Sequence, residues 1–143
     1  MRNYEVTFIV DPVLSGDEIK ATAQTYVDHL KEIGAEVVDL DEMGLRQLAF
    51  PIQKRTSGVY YSLEFRIEDG SFIPKMELAF KRDERIIRYL TVRLDKYAIK
   101  FNEDRRNGLI GKDRKKKEQE EESKPKVAAT AAPASKKAKE EEE

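Results

Sequence analysis

The stretch GLRQLAFPIQKRTSG, residues 44–58, interrupts a strand pattern and indicates where a β-sheet ends. Its apolar residues alternate with small or polar ones, as in a half-buried strand. Pro51 then removes a backbone hydrogen-bond donor, and Lys54 and Arg55 follow at once. Because proline is confined to edge strands and strand ends, we predict an edge strand that stops here beside a basic turn.

A strand and a helix precede this stretch. In residues 3–10, apolar side chains recur at every second position, which predicts a strand, and its partly apolar second face favours a central position in the sheet. Ser15 and Glu18 then fit a capping box, and Gly34 is placed to end the helix in the left-handed conformation. Between these signals runs an apolar stripe at helical spacing: Ile19, Ala23, Tyr26, Val27, Leu30 and Ile33.

The basic turn joins two further strands. Residues 35–53 form one long strand in this interpretation, with Gly44 at a bulge or bend. The apolar residues of that strand are predicted to share one face: Val38, Leu40, Leu48, Phe50 and Ile52. The next strand alternates cleanly, with Val59, Tyr61, Leu63, Phe65 and Ile67 inward and Tyr60, Ser62, Glu64 and Arg66 outward.

A short helix near Pro74 and a last strand, residues 85–99, complete the pattern. The order strand, helix, strand, strand, helix, strand is typical of the α+β ferredoxin-like split βαβ (βαββαβ) sandwich, a four-stranded antiparallel sheet with two helices on one face. That fold leaves the other face of the sheet uncovered.

The last strand offers two alternating sets of side chains, and only one set points inward. We predict that Arg88, Leu90 and Val92 point outward with Tyr60 and Ser62, because a buried arginine needs an acidic partner that the sequence does not obviously supply. Apolar side chains exposed beside an arginine favour a protein interface with a charged rim.

The chain of 143 residues divides by composition. Residues 1–101 are predicted to form the ferredoxin-like domain. Residues 102–143 form a charged, low-complexity C-terminal extension, which cannot bury enough apolar surface to offset chain ordering and is predicted to be mostly disordered.

Several classes of function are disfavoured. The chain has no cysteine and one histidine, His29, and Asp39, Asp41 and Glu42 are best explained by a solvated strand face, so we expect no metal site and no cofactor. Asp11 and Pro12 follow the first strand, where an acylphosphatase-like enzyme of this fold would need a phosphate-cradling loop with arginine. We therefore expect no catalytic residues, no small-molecule substrate and no enzyme activity.

No apolar run approaches the roughly 20 residues that span a bilayer. The first 12 residues alternate too strictly and are too short in apolar length for a signal peptide. The expected location is cytoplasmic, with no membrane partner.

Charge is distributed unevenly along the chain. Residues 1–45 hold three Lys/Arg and ten Asp/Glu, whereas residues 46–111 hold fourteen and nine. A basic half suits an anionic partner such as RNA, whose phosphates are contacted by arginine and lysine. The candidate RNA-binding residues are Arg2, Lys54, Arg55, Arg82, Arg88 and Arg93. The stacking pattern of an RNA-recognition motif is matched only by Gly58 and Tyr61, since Ser57 and Glu64 depart from it.

Three segments carry a family resemblance: MRNYEVTFIVDP (1–12), GLRQLAFPIQK (44–54) and RDERIIRYLTVR (82–93). In content, order and spacing they resemble the bacterial small-subunit ribosomal protein six family over about residues 1–95. Two positions depart from the family pattern: Phe50 stands where tyrosine is usual, and Arg82-Asp83 stands where asparagine and an acidic residue are usual.

The resemblance implies a non-catalytic ribosomal protein, located on the ribosome, that binds small-subunit ribosomal RNA at the platform as a heterodimer with ribosomal protein eighteen. On this interpretation the outward set Tyr60, Ser62, Arg88, Leu90 and Val92 contacts the protein partner. The alternative is a stand-alone module of the same fold that binds single-stranded RNA; a stand-alone enzyme is the weaker competitor.

Overall fold

A computed structural model of the chain describes residues 1–110. Within them lie four strands and three α-helices, in the order β1 (Arg2–Val10), α1 (Gly16–Glu32), β2 (Glu36–Ile52), β3 (Arg55–Ile67), α2 (Ile73–Arg82), β4 (Ile86–Arg93) and α3 (Lys96–Arg106). A single 3₁₀ turn, Gly70–Phe72, precedes α2. The chain divides into two units, Met1–Glu103 and Asp104–Glu143, and the described part of the second continues α3 to a turn at Gly108.

The four strands form one antiparallel sheet in the order β2-β3-β1-β4. The two helices expected from the sequence, α1 and α2, pack on one side of it, which we call the inner face. This confirms the ferredoxin-like prediction, including the central position of β1 and the edge position of β2.

The inner face holds the main hydrophobic core. Every second residue of β1 and β3 contributes to it, together with the apolar stripe of α1 and Met76 and Phe80 of α2. The capping box at Ser15 and Glu18 is formed, and Gly34, with φ 80°, follows the end of α1. Burial of these side chains removes apolar surface from water and is the main source of stability.

The prediction that the apolar residues of β2 share one face is wrong. Leu40 packs against the inner core, whereas Leu48 is buried in a second cluster with Ile9 and Ile87 on the opposite side, the outer face. The reason is the predicted bulge at Gly44: the register shifts between Glu42 and Gly44, and one extra residue moves all later side chains to the other face. Phe50 is exposed.

β4 carries a similar irregularity. Its pairing with β1 shifts between Ile9 and Val10, so that Ile86 joins the inner core while its neighbour Ile87 joins the outer cluster. Beyond the shift, Tyr89 packs inward as its alternation requires. The outer cluster lies over Gly58, where any side chain would collide with Ile9.

The sequence predicted an uncovered outer face, but one end of that face is covered. Asn102 of α3 is buried against it, and its Nδ2 group donates hydrogen bonds to Glu5 Oε2 at 3.1 Å and Glu64 Oε2 at 3.2 Å. Glu5 and Glu64 are direct cross-strand partners of β1 and β3. A third helix therefore packs over one end of the outer face.

The prediction of a last strand that continues to residue 99 is wrong, because β4 ends at Arg93 and α3 begins at Lys96. The predicted boundary between residues 101 and 102 falls inside this unpredicted helix. The helix buries a polar residue and presents aromatic ones to solvent, so it lacks an apolar stripe. The predicted disorder of the extension concerns mainly residues 111–143, which lie outside the described residues.

Candidate nucleic-acid and protein interfaces

The basic turn between β2 and β3 is a tight hairpin with an unusual backbone. Ile52 pairs with Arg55, and the two residues between them, Gln53 and Lys54, have φ values of 49° and 62°. Turns of this kind match the twist of a hairpin but favour Asn-Gly, because side chains crowd the left-handed conformation. Lys54 is thus held exposed at the tip of the sheet at a conformational cost.

Arg55 anchors this turn to the rest of the domain. Its Nε and Nη2 atoms donate to Asp11 Oδ1 and Oδ2 at 3.1 and 3.2 Å. The backbone N–H of Asp11 donates in turn to the carbonyl of Arg85 at 2.9 Å. Asp11 therefore holds the turn in place, a role that its sequence position did not predict.

A second network lies where α2 leads into β4. Tyr26 of α1 donates its hydroxyl hydrogen to Asp83 Oδ2 at 2.7 Å, and Arg85 donates to both carboxylate oxygens at 2.9 Å. Partial burial alone would raise the pKa of Asp83, but the hydrogen bonds from Arg85 and Tyr26 outweigh it and hold that pKa below its usual value. Burial and the neighbouring carboxylate raise the pKa of Tyr26, which stays protonated.

The six predicted RNA-binding residues fall at two ends of the sheet. Lys54, Arg55, Arg82 and Arg88 lie at the end where β1 finishes, which we call the turn end. A groove of about 240 Å³ at this end is lined by Gln53, Lys81 and Arg88 together with apolar residues.

The remaining two, Arg2 and Arg93, lie at the opposite end, where Leu94 donates its backbone N–H to Asn3. About six residues of β1 separate the two groups, a span of about 20 Å at the rise of an extended strand. The six residues therefore do not form one patch.

The predicted protein-partner residues share the outer face but differ in exposure. Arg88, Leu90 and Val92 point outward, and the side chains of Leu90 and Val92 are 66% and 40% exposed. Tyr60 is half-buried, and with Thr7 and Leu90 it lines a groove of about 250 Å³.

Ser62 also lies on this face, opposite Thr7 and Asp41 of the neighbouring strands, but it is only 4% exposed. Its small side chain is shielded by these neighbours in a central strand, so it offers little contact area. The exposed part of the surface is the β4 edge, which we call the β4 patch: Arg88, Leu90 and Val92.

The aromatic residues of β3 that matched an RNA-recognition motif are not available for stacking. Tyr61 and Phe65 are buried on the inner face, as their alternation predicted. An RNA-recognition motif displays such rings on the open face of the sheet. The exposed aromatic residues among residues 1–110 lie elsewhere: Phe50 on β2, and Tyr97 and Phe101 on α3, which was not predicted.

Other classes of site find no support between residues 1 and 110. No group of three or more His, Asp or Glu side chains in this range is placed to hold a metal ion. Nor does any helix in the same range have the length and apolar character to cross a membrane.

Comparisons with known proteins agree with the sequence resemblance. The family model described as Ribosomal protein S6 matches residues 3–93. The chain is 49% identical to the small ribosomal subunit protein bS6 of Parabacteroides distasonis over 107 residues, which are 75% of this chain and 90% of that protein. It is also 49% identical to the protein of that name from Christiangramia forsetii over 106 residues, 74% of this chain and 94% of the other. The crystal structure of 30S ribosomal protein S6 from Thermotoga maritima superimposes with a TM-score of 0.63 at 25% identity, covering 76% of this chain and 97% of that one.

Proposed function

The chain belongs to the ribosomal protein S6 family, a family of structural proteins of the small ribosomal subunit rather than enzymes, and from that premise we propose that it binds small-subunit ribosomal RNA together with ribosomal protein eighteen. The observation that carries the protein half of this proposal is the β4 patch. Two large apolar side chains stand exposed beside an arginine on an edge strand. Such a combination is typical of a surface that a protein partner covers.

Ribosomal protein eighteen is the partner that the family resemblance implies. The β4 patch supports it with an apolar centre, Leu90 and Val92, a charged rim at Arg88 and the adjoining groove at Tyr60. β4 is also an edge strand, so its unpaired backbone groups are accessible to a partner. Ser62 lies on the same face of the sheet but is buried, so it contributes little direct contact to the proposed interface.

The RNA half of the proposal rests on the two basic ends. Lys54 is exposed on a turn whose backbone fixes its position, and Arg82 and Arg88 are exposed nearby. Asp11 occupies one edge of Arg55, whose side chain remains partly exposed. Arg2 and Arg93 would contact phosphates about 20 Å away, the length of the intervening strand. Contacts of this kind fix position and supply affinity rather than read sequence.

The protein half is tested by binding to purified ribosomal protein eighteen. Arg88→Glu combined with Leu90→Asp should abolish pairing while the circular dichroism spectrum stays unchanged, because both side chains are exposed. The matched control is Lys75→Glu with Leu78→Asp on the exposed side of α2, which should pair normally. Normal pairing by the β4 double variant would place the interface elsewhere.

The RNA half is tested by binding of the protein pair to small-subunit ribosomal RNA. Arg2→Glu and Lys54→Glu should each weaken RNA binding and leave the protein pair intact. Lys20→Glu, an exposed change on α1 at a residue outside the six candidates, is the control and should have no effect. Equal affinity of all three variants would overturn the assignment.

The alternative, a stand-alone module that reads single-stranded RNA on its sheet, is separated by a salt titration. Phosphate contacts lose affinity steeply with salt whatever the sequence, whereas a stacking sheet discriminates among bases. Tyr61 and Phe65 are buried, which favours binding through phosphate contacts over base stacking on the sheet.

A further inference from the structure

The exposed side of α3 combines aromatic and basic residues. Tyr97 and Phe101 are 70% and 52% exposed, and Lys96 and Lys100 are exposed beside them. At about 100° per residue, these four side chains cover an arc of about 140°. The centre of that arc points away from Asn102, which holds the opposite side of the helix against the sheet.

This surface is fixed rather than free to reorient. Asp95 caps the N-terminus of the helix: its carboxylate accepts a hydrogen bond from the Ala98 backbone N–H at 2.7 Å. Asn102 then ties it to two glutamates of the sheet. Large apolar rings on an anchored helix are held out in water, and nothing among residues 1–103 covers them.

The charges around the rings select the kind of partner. The Nζ atom of Lys96 lies 5.0 Å from the centroid of the Tyr97 ring, a cation–π geometry. Among the nearby acidic groups, Asp95 caps the helix and Glu103 lies 3.9 Å from Arg66. Asp104, one turn beyond Lys100, is on the same side of α3 and is half-buried. Two exposed lysines therefore outnumber one carboxylate beside the rings, and aromatic side chains flanked by lysines are the chemistry that binds single-stranded nucleic acid through base stacking and phosphate contacts.

We propose that Tyr97 and Phe101, flanked by Lys96 and Lys100, form a second RNA site that stacks unpaired bases. The inference rests on the proposed RNA-binding function and extends it, because the site lies beyond residues 3–93, where the family model matches. In this arrangement the basic ends of the sheet bind the phosphates of the RNA backbone, and the rings of α3 stack on the bases of an unpaired segment. The site is tolerant of sequence, since every base has a face to stack.

The test measures binding of the full-length chain to a fluorescein-labelled ten-nucleotide oligouridylate and to a ten-base-pair RNA duplex by fluorescence anisotropy. Tyr97→Ala with Phe101→Ala should weaken oligouridylate binding at least tenfold and leave duplex binding within twofold. Tyr97→Trp should bind the oligouridylate like the wild type, because an aromatic side chain that can stack on a base is still present. Leu78→Ala, which truncates an exposed apolar side chain on α2, is the control and should change neither affinity.

The outcomes separate this inference from the proposed function. If the α3 double variant binds the oligouridylate normally while Lys54→Glu weakens its binding, the stacking site is wrong and the proposed RNA-binding function stands. If the double variant instead loses pairing with ribosomal protein eighteen and keeps its RNA affinity, the surface belongs to a protein partner and the inference fails. If the wild type binds neither the oligouridylate nor the duplex, and also fails to bind small-subunit ribosomal RNA, both proposals fail.

Discussion

The two faces of the sheet are filled by different chemistry. On the inner face, α1 and α2 bury a continuous apolar core in which Phe8, Leu63 and Phe65 are fully buried. On the outer face, α3 is held by an amide between two glutamates, and apolar side chains such as Leu90 and Tyr97 remain in water. The inner face thus buries its apolar side chains, whereas the outer face leaves several of them exposed.

This difference shows that a helix need not be placed by its apolar side. α1 directs its stripe of apolar residues to the sheet, and its position follows from burial. α3 directs Asn102 to the sheet instead, so its position depends on buried hydrogen bonds, which are individually weaker than a full core contact but specific in geometry. Its aromatic residues are consequently available for binding.

The largest effect is expected for a core truncation on the inner face. Phe8→Ala removes a fully buried ring that contacts Tyr26, Tyr61 and Phe80. We expect it to lower the free energy of unfolding by about 3–5 kcal/mol, measured by urea denaturation. On the outer face, Leu90→Ala should stay within about 0.5 kcal/mol of the wild type; equal losses at the two positions would erase the contrast between the faces.

Removal of the α3 anchor should have an intermediate effect. Asn102→Ala deletes two hydrogen bonds to carboxylates and leaves Glu5 and Glu64 side by side without the shared donor. We expect a loss of about 1.5–3 kcal/mol and faster amide hydrogen exchange across residues 96–103. Asn107→Ala, an exposed change, serves as the control. Unchanged exchange in the helix would mean that other contacts hold α3 in place.

A smaller effect is expected at the rim of the inner face, where the Asp83 carboxylate binds Tyr26 and Arg85. The pKa of Asp83 is lowered in the folded state, so its ionised form stabilises the fold above the ordinary aspartate pKa of 3.8, and that stabilisation is lost as the pH falls through the lower folded value. Asp83→Asn should therefore lower the free energy of unfolding at pH 7. The loss should be less than about 1 kcal/mol, because the Arg85 partner is exposed to solvent. The loss should become smaller below pH 4. Urea denaturation at pH 7 and pH 3 measures both values; a cost that grows on acidification would contradict the sign.

The smallest effect is expected outside both faces. Deletion of residues 112–143 should shift the thermal midpoint by less than about 4 °C, which corresponds to roughly 1 kcal/mol for a domain of this size. The prediction follows from composition, since that segment has no apolar pattern with which to dock. Differential scanning calorimetry of the full and shortened chains decides it, and a larger fall would show that the tail packs on the domain.

The inner face could be predicted from the sequence because its signals are local. The alternation in β1, the capping box and the stripe of α1 each depend on a few neighbouring residues, and all are confirmed. The bulge at Gly44 was predicted as well, but its consequence was not: one added residue moved Leu48 to the outer face, away from Leu40. Because a bulge adds one residue, the alternation of side chains before it does not predict which face the side chains after it occupy.

The outer face could not be predicted because its contacts join distant parts of the chain. Asn102 lies 97 residues from Glu5 and 38 from Glu64, and no pattern near Asn102 indicates either partner. The pairing of Arg55 with Asp11, 44 residues apart, was hidden for the same reason. A sequence signal did exist for α3 itself: Asp95 precedes Ala98 by three residues, the spacing of a helix N-cap.

The most direct test of the account is sedimentation of the tagged full-length chain from cells through a sucrose gradient, with the Arg88→Glu and Leu90→Asp double variant run in parallel. We predict that the wild type sediments with the small ribosomal subunit, whereas the folded double variant stays in the light fractions because it has lost its protein partner. Absence of the wild type from the small-subunit fraction would contradict the account.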